Sequence, residues 1–212
     1  MKIIRYATGP LQVNTYLAYD EDTLAGFMVD PGGYAEGITD RIRELGIDLK
    51  YIILTHGHGD HIGGVPGFKK DFPEVKVVAQ VTELEMLTNG DLNSSAEMFL
   101  YPVTFKADIW VRHREEMKVG GMNLTFFHTP GHTKGGMCIY IPGSGEEPGY
   151  CFSGDTLFRR SIGRTDFYGG DFRTLMNSIR DVLFCLPDET VVLPGHMDVT
   201  TIGEEKRGNP FV

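Results

Sequence analysis

Thr55-His56-Gly57-His58-Gly59-Asp60-His61 places three imidazoles and a carboxylate within seven consecutive positions. Such a run would make a poor core and an unusual surface, but imidazole nitrogen and carboxylate oxygen are donors that zinc and iron(II) accept. It follows Tyr51-Ile52-Ile53-Leu54, a short apolar stretch that reads as a buried strand. Gly57 and Gly59 permit the tight backbone through which neighbouring side chains converge on one point. The chain therefore sets potential ligands on a loop at a strand end, the usual place for ligand chemistry in α/β proteins.

Three further segments repeat the arrangement. His132 lies in His128-Thr129-Pro130-Gly131-His132 after Leu124-Thr125-Phe126-Phe127, Asp155 in Ser153-Gly154-Asp155 after Tyr150-Cys151-Phe152, and His196 in Pro194-Gly195-His196 after Thr190-Val191-Val192-Leu193. Seven ligands exceed what one tetrahedral ion takes. Two divalent ions per chain fit better: His56, His58 and His132 on the first, Asp60, His61 and His196 on the second, and Asp155 bridging. A water between two such ions loses a proton near neutral pH and becomes a nucleophile. No cysteine sits in these loops, which argues against a closed structural zinc site. Zinc is the expected metal, with iron or manganese as alternatives. His113, among charged residues, and His128, separated from His132 by Pro130 and Gly131, are read as non-ligands.

The ordered motifs, T-H-x-H-x-D-H, then P-G-H-T, G-D-T and G-H, resemble the metallo-β-lactamase superfamily. Within it, Gly154-Asp155-Thr156-Leu157-Phe158, Gly163-Arg164-Thr165-Asp166-Phe167, the tail Thr200-Thr201-Ile202-Gly203-Glu204-Glu205 with Asn209-Pro210-Phe211, and the start Val13-Asn14-Thr15-Tyr16-Leu17 leading to Val29-Asp30-Pro31-Gly32 are similar to the short glyoxalase II-like hydrolases. Two positions depart from that pattern. Met197 stands where glycine is frequent after the last ligand histidine, and Gly136 where a small hydroxyl residue is common. Neither removes a ligand, and both concern the pocket wall.

The apolar periodicity predicts strands near 2–7, 12–19, 24–30, 51–54, 75–79, 108–112, 115–119, 122–128, 136–141, 149–153 and 190–193. It predicts helices over Ala35–Glu44 and Phe172–Leu183, and an irregular helical segment over 80–100. By itself this gives an α/β or α+β class. The resemblance implies an α+β, four-layer αββα sandwich, with two mixed sheets face to face and helices outside. The 212 residues, 41% hydrophobic and 23% charged, suffice for one domain spanning 1–212. A net charge of −9 argues against nucleic acid as a partner. No stretch nears 18 apolar residues and no apolar leader is seen, so no membrane partner and a cytoplasmic location are expected. Cys138, Cys151 and Cys185 are read as buried reduced thiols.

The activity expected is hydrolysis of a small-molecule acyl thioester by a hydroxide bridging the two metals, with Asp60 both ligating and orienting the hydroxide. The resemblance implies S-(2-hydroxyacyl)glutathione as substrate. Lys134, Arg159 and Arg160 are candidates for its carboxylates, since cations bind them strongly. Tyr168 is a candidate for the cleft wall, and Arg164 is read as an ion pair with Asp166 or Asp171. Met86, Met98, Phe99 and Tyr101 are candidates for core or for an apolar lid. The alternatives are a mononuclear-iron persulfide dioxygenase or a lactonase of the same fold and, outside enzymes, a metal-dependent sensor or binding protein.

Overall fold

The computed structural model describes every residue, Met1–Val212. The N-terminal half forms strands β1 (Lys2–Thr8), β2 (Val13–Tyr19), β3 (Ala25–Val29), β4 (Asp48–Ile53), β5 (Lys76–Gln80) and β6 (Ile109–Val111), which lie in that order in one six-stranded sheet. β1, β2 and β3 pair antiparallel, and β3 through β6 pair parallel. The second half supplies β7 (Glu116–Val119), β8 (Met122–His128), β9 (Met137–Ile141), β10 (Tyr150–Gly154), a small hairpin of β11 (Leu157–Phe158) and β12 (Ser161–Ile162), then β13 (Val191–Pro194) and β14 (Thr200–Thr201). The order in the second sheet is β14-β13-β10-β9-β8-β7, with β10 and β13 parallel and the other pairs antiparallel.

The period-two pattern explains the layers. Along β2, Leu17 and Tyr19 join a core with helix α1 (Glu36–Glu44), through Ile38 and Ile42, and with Val65 and Phe68. Their neighbours Tyr16 and Ala18 face the other sheet, packing with Phe27, Phe126, Ile139 and Phe152. On β9, Ile139 and Ile141 point into that inter-sheet core, whereas Cys138 joins an outer core with Leu175, Ile179 and Leu183. The result is the αββα sandwich with two mixed sheets. Phe152 contacts Tyr16 and Phe27 edge-on, with centroids 5.4 and 5.8 Å apart. Truncating so buried an aromatic costs about 3–5 kcal/mol.

The remaining helices are short: α2 (Gly59–Ile62), α3 (Val65–Asp71), α4 (Leu84–Leu87), α5 (Ser95–Phe99), α6 (Phe172–Asn177) and α7 (Ile202–Gly208). The expected helix over Phe172–Leu183 is α6 only as far as Asn177, then a wider turn over Ser178–Val182 and a tighter one over Leu183–Cys185. Leu175, Ile179 and Leu183 recur every four residues, which on an ideal helix drifts by about 40° per step. A wider turn reduces that drift and keeps all three on the sheet. The strand expected at 51–54 begins at Asp48, because exposed Asp48 and Lys50 alternate with buried Leu49. Cys138 and Cys151 are buried as expected, but Cys185 is exposed. No helix is long and apolar enough to cross a membrane.

Strand direction gathers the loops. β3, β4 and β5 run parallel, and β8 runs with β10 and β13 because β9 lies antiparallel between β8 and β10. The loops after β3, β4, β8, β10 and β13 carry Asp30, the histidine run, His132, Asp155 and His196.

Candidate metal centre

All seven predicted ligands meet at one edge of the sandwich. His58 Nδ1 lies 3.0 Å from His132 Nε2, and His56 completes a cluster with them. On the other side His196 Nε2 is 3.2 Å and His61 Nε2 3.7 Å from Asp60 Oδ2. Asp155 reaches both clusters. Its Oδ1 is 3.4 Å from His61 Nε2, and its Oδ2 is 3.7 Å from His132 Nε2 and 3.8 Å from His196 Nε2. The side chains thus lie in two histidine-rich groups with one carboxylate between them.

The centre passes a chemical test for cations. Buried polar atoms without partners are rare in proteins. Here His56 Nε2, His58 Nε2, His61 Nε2 and Asp155 Oδ1 are all buried with no hydrogen-bond partner. Tautomers agree: His132 Nδ1 donates to the Arg164 carbonyl at 2.6 Å and His61 Nδ1 to Asp30 Oδ2 at 2.9 Å, leaving each Nε2 lone pair free. Burial, then neighbouring His132, pushes the His58 imidazole down to about 3, and burial also lowers His56 and His132. These rings stay neutral, as metal binding requires. For His61 burial pulls down, but Asp155, Asp60 and Asp30 outweigh it and raise its pKa. Burial opposes ionisation of Asp60 and Asp155, yet the adjacent histidines hold both below the usual carboxylate range. Excess negative charge at neutral rings is what a divalent cation would compensate.

Four holders were not identified from sequence. Asp30 joins His56 and His61 in a third possible cluster. Its carboxylate, however, already accepts from Thr55 N at 2.8 Å, Thr55 Oγ1 at 2.5 Å and His61 Nδ1 at 2.9 Å, so it orients the ligands. Glu83 is buried and accepts from Gly57 N at 2.8 Å, Gly135 N at 2.7 Å and Thr133 Oγ1 at 3.2 Å. It thereby ties the loop of His56 and His58 to the loop of His132. Asn14 donates to the Pro194 and Met197 carbonyls at 3.0 and 2.9 Å, and Tyr16 Oη to Pro194 O at 2.8 Å, clamping the His196 loop to the first sheet. Gly57 and Gly59 serve by lacking bulk, since neither has a positive φ. A Cβ on Gly57 would meet Met86 at 3.1 Å, and one on Gly59 the Ser95 backbone at 2.9 Å.

A cleft of about 410 Å³ opens over the centre, and His58, Asp60, His132, Asp155 and His196 form its floor. A larger cavity, about 690 Å³ beside Asp20, Glu21 and Glu147, shares no residue with the histidine clusters. Met98 lines the cleft, whereas Met86 is core and Phe99 packs partly against the core and stacks on exposed Tyr101.

None of Lys134, Arg159, Arg160 and Tyr168 lines the cleft. Lys134 lies 3.3 Å from Glu85 and 2.6 Å from Tyr168 Oη, which itself donates to Glu85 at 2.6 Å. Arg159 pairs with Asp198 at 3.6 Å. Arg160 donates its Nη1 to Gly208 O and its backbone N to Glu205, which docks α7. Proximity in sequence to a ligand did not set the direction of these side chains. Arg164 does line the cleft and is paired as expected, to Asp166 at 2.9 and 2.7 Å. His113 and His128 stay outside the clusters, and His128 Nε2 donates to Lys134 O at 2.8 Å.

Comparison with known proteins agrees with this geometry. A family model of the metallo-beta-lactamase superfamily matches residues 8–196, and the chain belongs to that superfamily. It is 40% identical over 204 residues to hydroxyacylglutathione hydrolase GloC of Haemophilus influenzae, covering 95% of this chain and 93% of that protein. Among solved structures it is similar to BLEG-1 B3 metallo-beta-lactamase, with TM-score 0.89 and 35% identity over 99% of each chain. It is also similar to TTHA1623 in a di-iron-bound form, with TM-score 0.83 and 31% identity over 99% of this chain and 100% of that one. The protein is thus a metallohydrolase of this superfamily whose His/Asp clusters are suited to divalent metal.

Proposed function

We propose that the chain hydrolyses a small-molecule acyl thioester at a centre of two divalent cations. The observation that carries this reading is the position of Asp155, within 3.4–3.8 Å of donors in both clusters. His56, His58 and His132 would hold one cation, Asp60, His61 and His196 the other, and Asp155 would be shared. Two such cations supply Lewis acidity and make water acidic enough to act as a nucleophile near neutral pH. Asp60, held ionised by His61 and His196 and lying on the cleft floor, accepts a hydrogen bond from the attacking water and orients it. The relative that acts on hydroxyacylglutathione and the neighbour in a di-iron-bound form support both halves of the reading.

The leaving group follows from what the cleft offers. Every histidine and carboxylate lining it belongs to the two clusters, so no titratable acid is spare to protonate a departing alkoxide. A thiolate, from a thiol of pKa about 8.5, leaves without that help. This favours a thioester over a lactone. A single-iron oxidative site would need only the first cluster, and the complete second cluster favours hydrolysis.

The test is turnover by metal-loaded protein of a matched thioester and oxygen ester, with oxygen uptake followed on a persulfide. The thioester should exceed the ester by roughly 10²-fold or more in kcat/KM, the contribution a positioned acid makes. Equal rates, or oxygen uptake with one metal equivalent per chain, would reject the proposal.

A further inference from the structure

The cleft beside the metal centre has a mostly apolar wall and no unpaired cation. Leu11, Met98, Phe158, Ile162, Phe167 and Met197 make up most of its wall, with the neutral polar residues Asn93, Ser94 and Ser161 among them. Leu11 is 55%, Met197 56% and Phe167 40% exposed, so large apolar side chains rim the mouth where water would otherwise be met by polar groups. The one cation in the lining, Arg164, is spent twice over. Its guanidinium forms the paired bonds to Asp166 and stacks 4.1 Å above the Phe167 ring. The cations nearest in sequence are committed as well: Lys134 to Glu85, Arg159 to Asp198, and Arg160 to the Gly208 carbonyl. A substrate carrying free carboxylates would have to displace one of these carboxylates, on a chain whose net charge is −9.

We infer that this cleft selects an uncharged, apolar thioester and disfavours one whose thiol carrier bears carboxylates, such as glutathione. The inference rests on the thioester reading above and narrows its substrate class. Apolar surface against the six apolar residues supplies the binding. Each methylene buried there should strengthen binding roughly fourfold until the wall is covered. The carboxylates of a peptide carrier lose hydration at the mouth and find only paired cations and neutral polar groups in return.

The closing experiment separates binding from turnover. Binding to metal-loaded protein is measured by calorimetry with unhydrolysable thioethers, S-hexyl-N-acetylcysteamine against S-hexylglutathione, and with the ethyl analogues of each. The neutral carrier should bind at least about tenfold more tightly, and hexyl should exceed ethyl on both carriers. Asp166→Asn, which releases Arg164 from its partner, should narrow the gap by tightening the glutathione series roughly tenfold, in line with a charge-assisted hydrogen bond. This gain does not depend on damaging the fold. Leu11→Ser and Met197→Ser should flatten the dependence on alkyl length. Tighter binding of S-hexylglutathione by wild-type protein, or no dependence on alkyl length, would overturn the inference. Turnover is read in parallel with hexanoyl thioesters of the same two thiols. Preferential binding of the neutral thioether with neither thioester cleaved would reject the thioester reading while sustaining an apolar, uncharged ligand.

Discussion

The His132 side chain, in the first cluster, is 6% exposed, while His196 in the second is 25% exposed. The clusters also differ in what holds them. One buried carboxylate, Glu83, binds both loops that carry His56, His58 and His132. Both clusters are assembled across the seam between the sheets, because His132 follows β8 and His196 follows β13 while their partners follow β4. Asp60 and His61 lie on α2 after β4, and His196 follows β13 and is clamped by Asn14 and Tyr16 of β2. Asp30 orients only the α2 side of that seam. The first cluster is therefore held by one buried carboxylate bonded to both of its loops, and the second by Asn14 and Tyr16 acting on the backbone of a single, more exposed loop. Cation affinity should be higher in the first.

Removing the group the clusters share gives the largest expected effect. Asp155→Ala should deplete both cations in elemental analysis and lower kcat by more than the ~10–100-fold that changes outside the ligand shell cost. Loss of one equivalent alone would show that Asp155 serves a single cluster. Glu83→Gln and Asp30→Asn then weight the clusters differently, since Asp30 holds His61 directly and reaches His56 only through Thr55 Oγ1. In Glu83→Gln an amide nitrogen faces a backbone N–H that needs an acceptor, which should loosen His56, His58 and His132 together. In Asp30→Asn the His61 ring loses its charged partner. Each should cost about 10–100-fold in metal affinity. Chelator competition should find the first variant losing the tighter cation and the second the weaker one. Identical metal-release profiles for the two variants would mean that the clusters are not independently held.

The smallest effect lies on the His196 loop. Met197 has φ +67°, a left-handed conformation that costs a residue with a Cβ about 1 kcal/mol. Met197→Gly should raise Tm by roughly 2–4 °C for a chain of this size. An unchanged or lower Tm would show that apolar contacts of Met197 outweigh its backbone strain.

The seven clustered histidines and aspartates were legible because each clue is local: a short apolar run, a glycine, then histidine or aspartate. Strand periodicity also carried both sheets, since Leu17 and Tyr19 alternate with Tyr16 and Ala18 whatever lies beyond them. The extra hairpin β11–β12 and the strand β14 were not legible, being two residues long, too short to show a period. Val29-Asp30-Pro31-Gly32 stood out as a motif, but not the task of Asp30, whose partners Thr55 and His61 are 25 and 31 positions away. Glu83 gave no signal at all, as an acidic residue in an irregular helical segment that bonds 26 positions upstream and 52 downstream.

The four cations and tyrosine near the ligand loops mark the same boundary most sharply. Their sequence settles that Lys134, Arg159, Arg160, Arg164 and Tyr168 lie close to the centre along the chain. The Arg164–Asp166 pair is local and was expected, but only the fold decides that Glu85, Asp198 and Gly208 reach the others and that the wall facing the substrate is mostly apolar. Ligand type and strand-end position are short-range properties that the order of residues carries directly. The partner and direction of a long flexible side chain depend on which distant carboxylates folding brings within a few ångströms, and no local pattern encodes that.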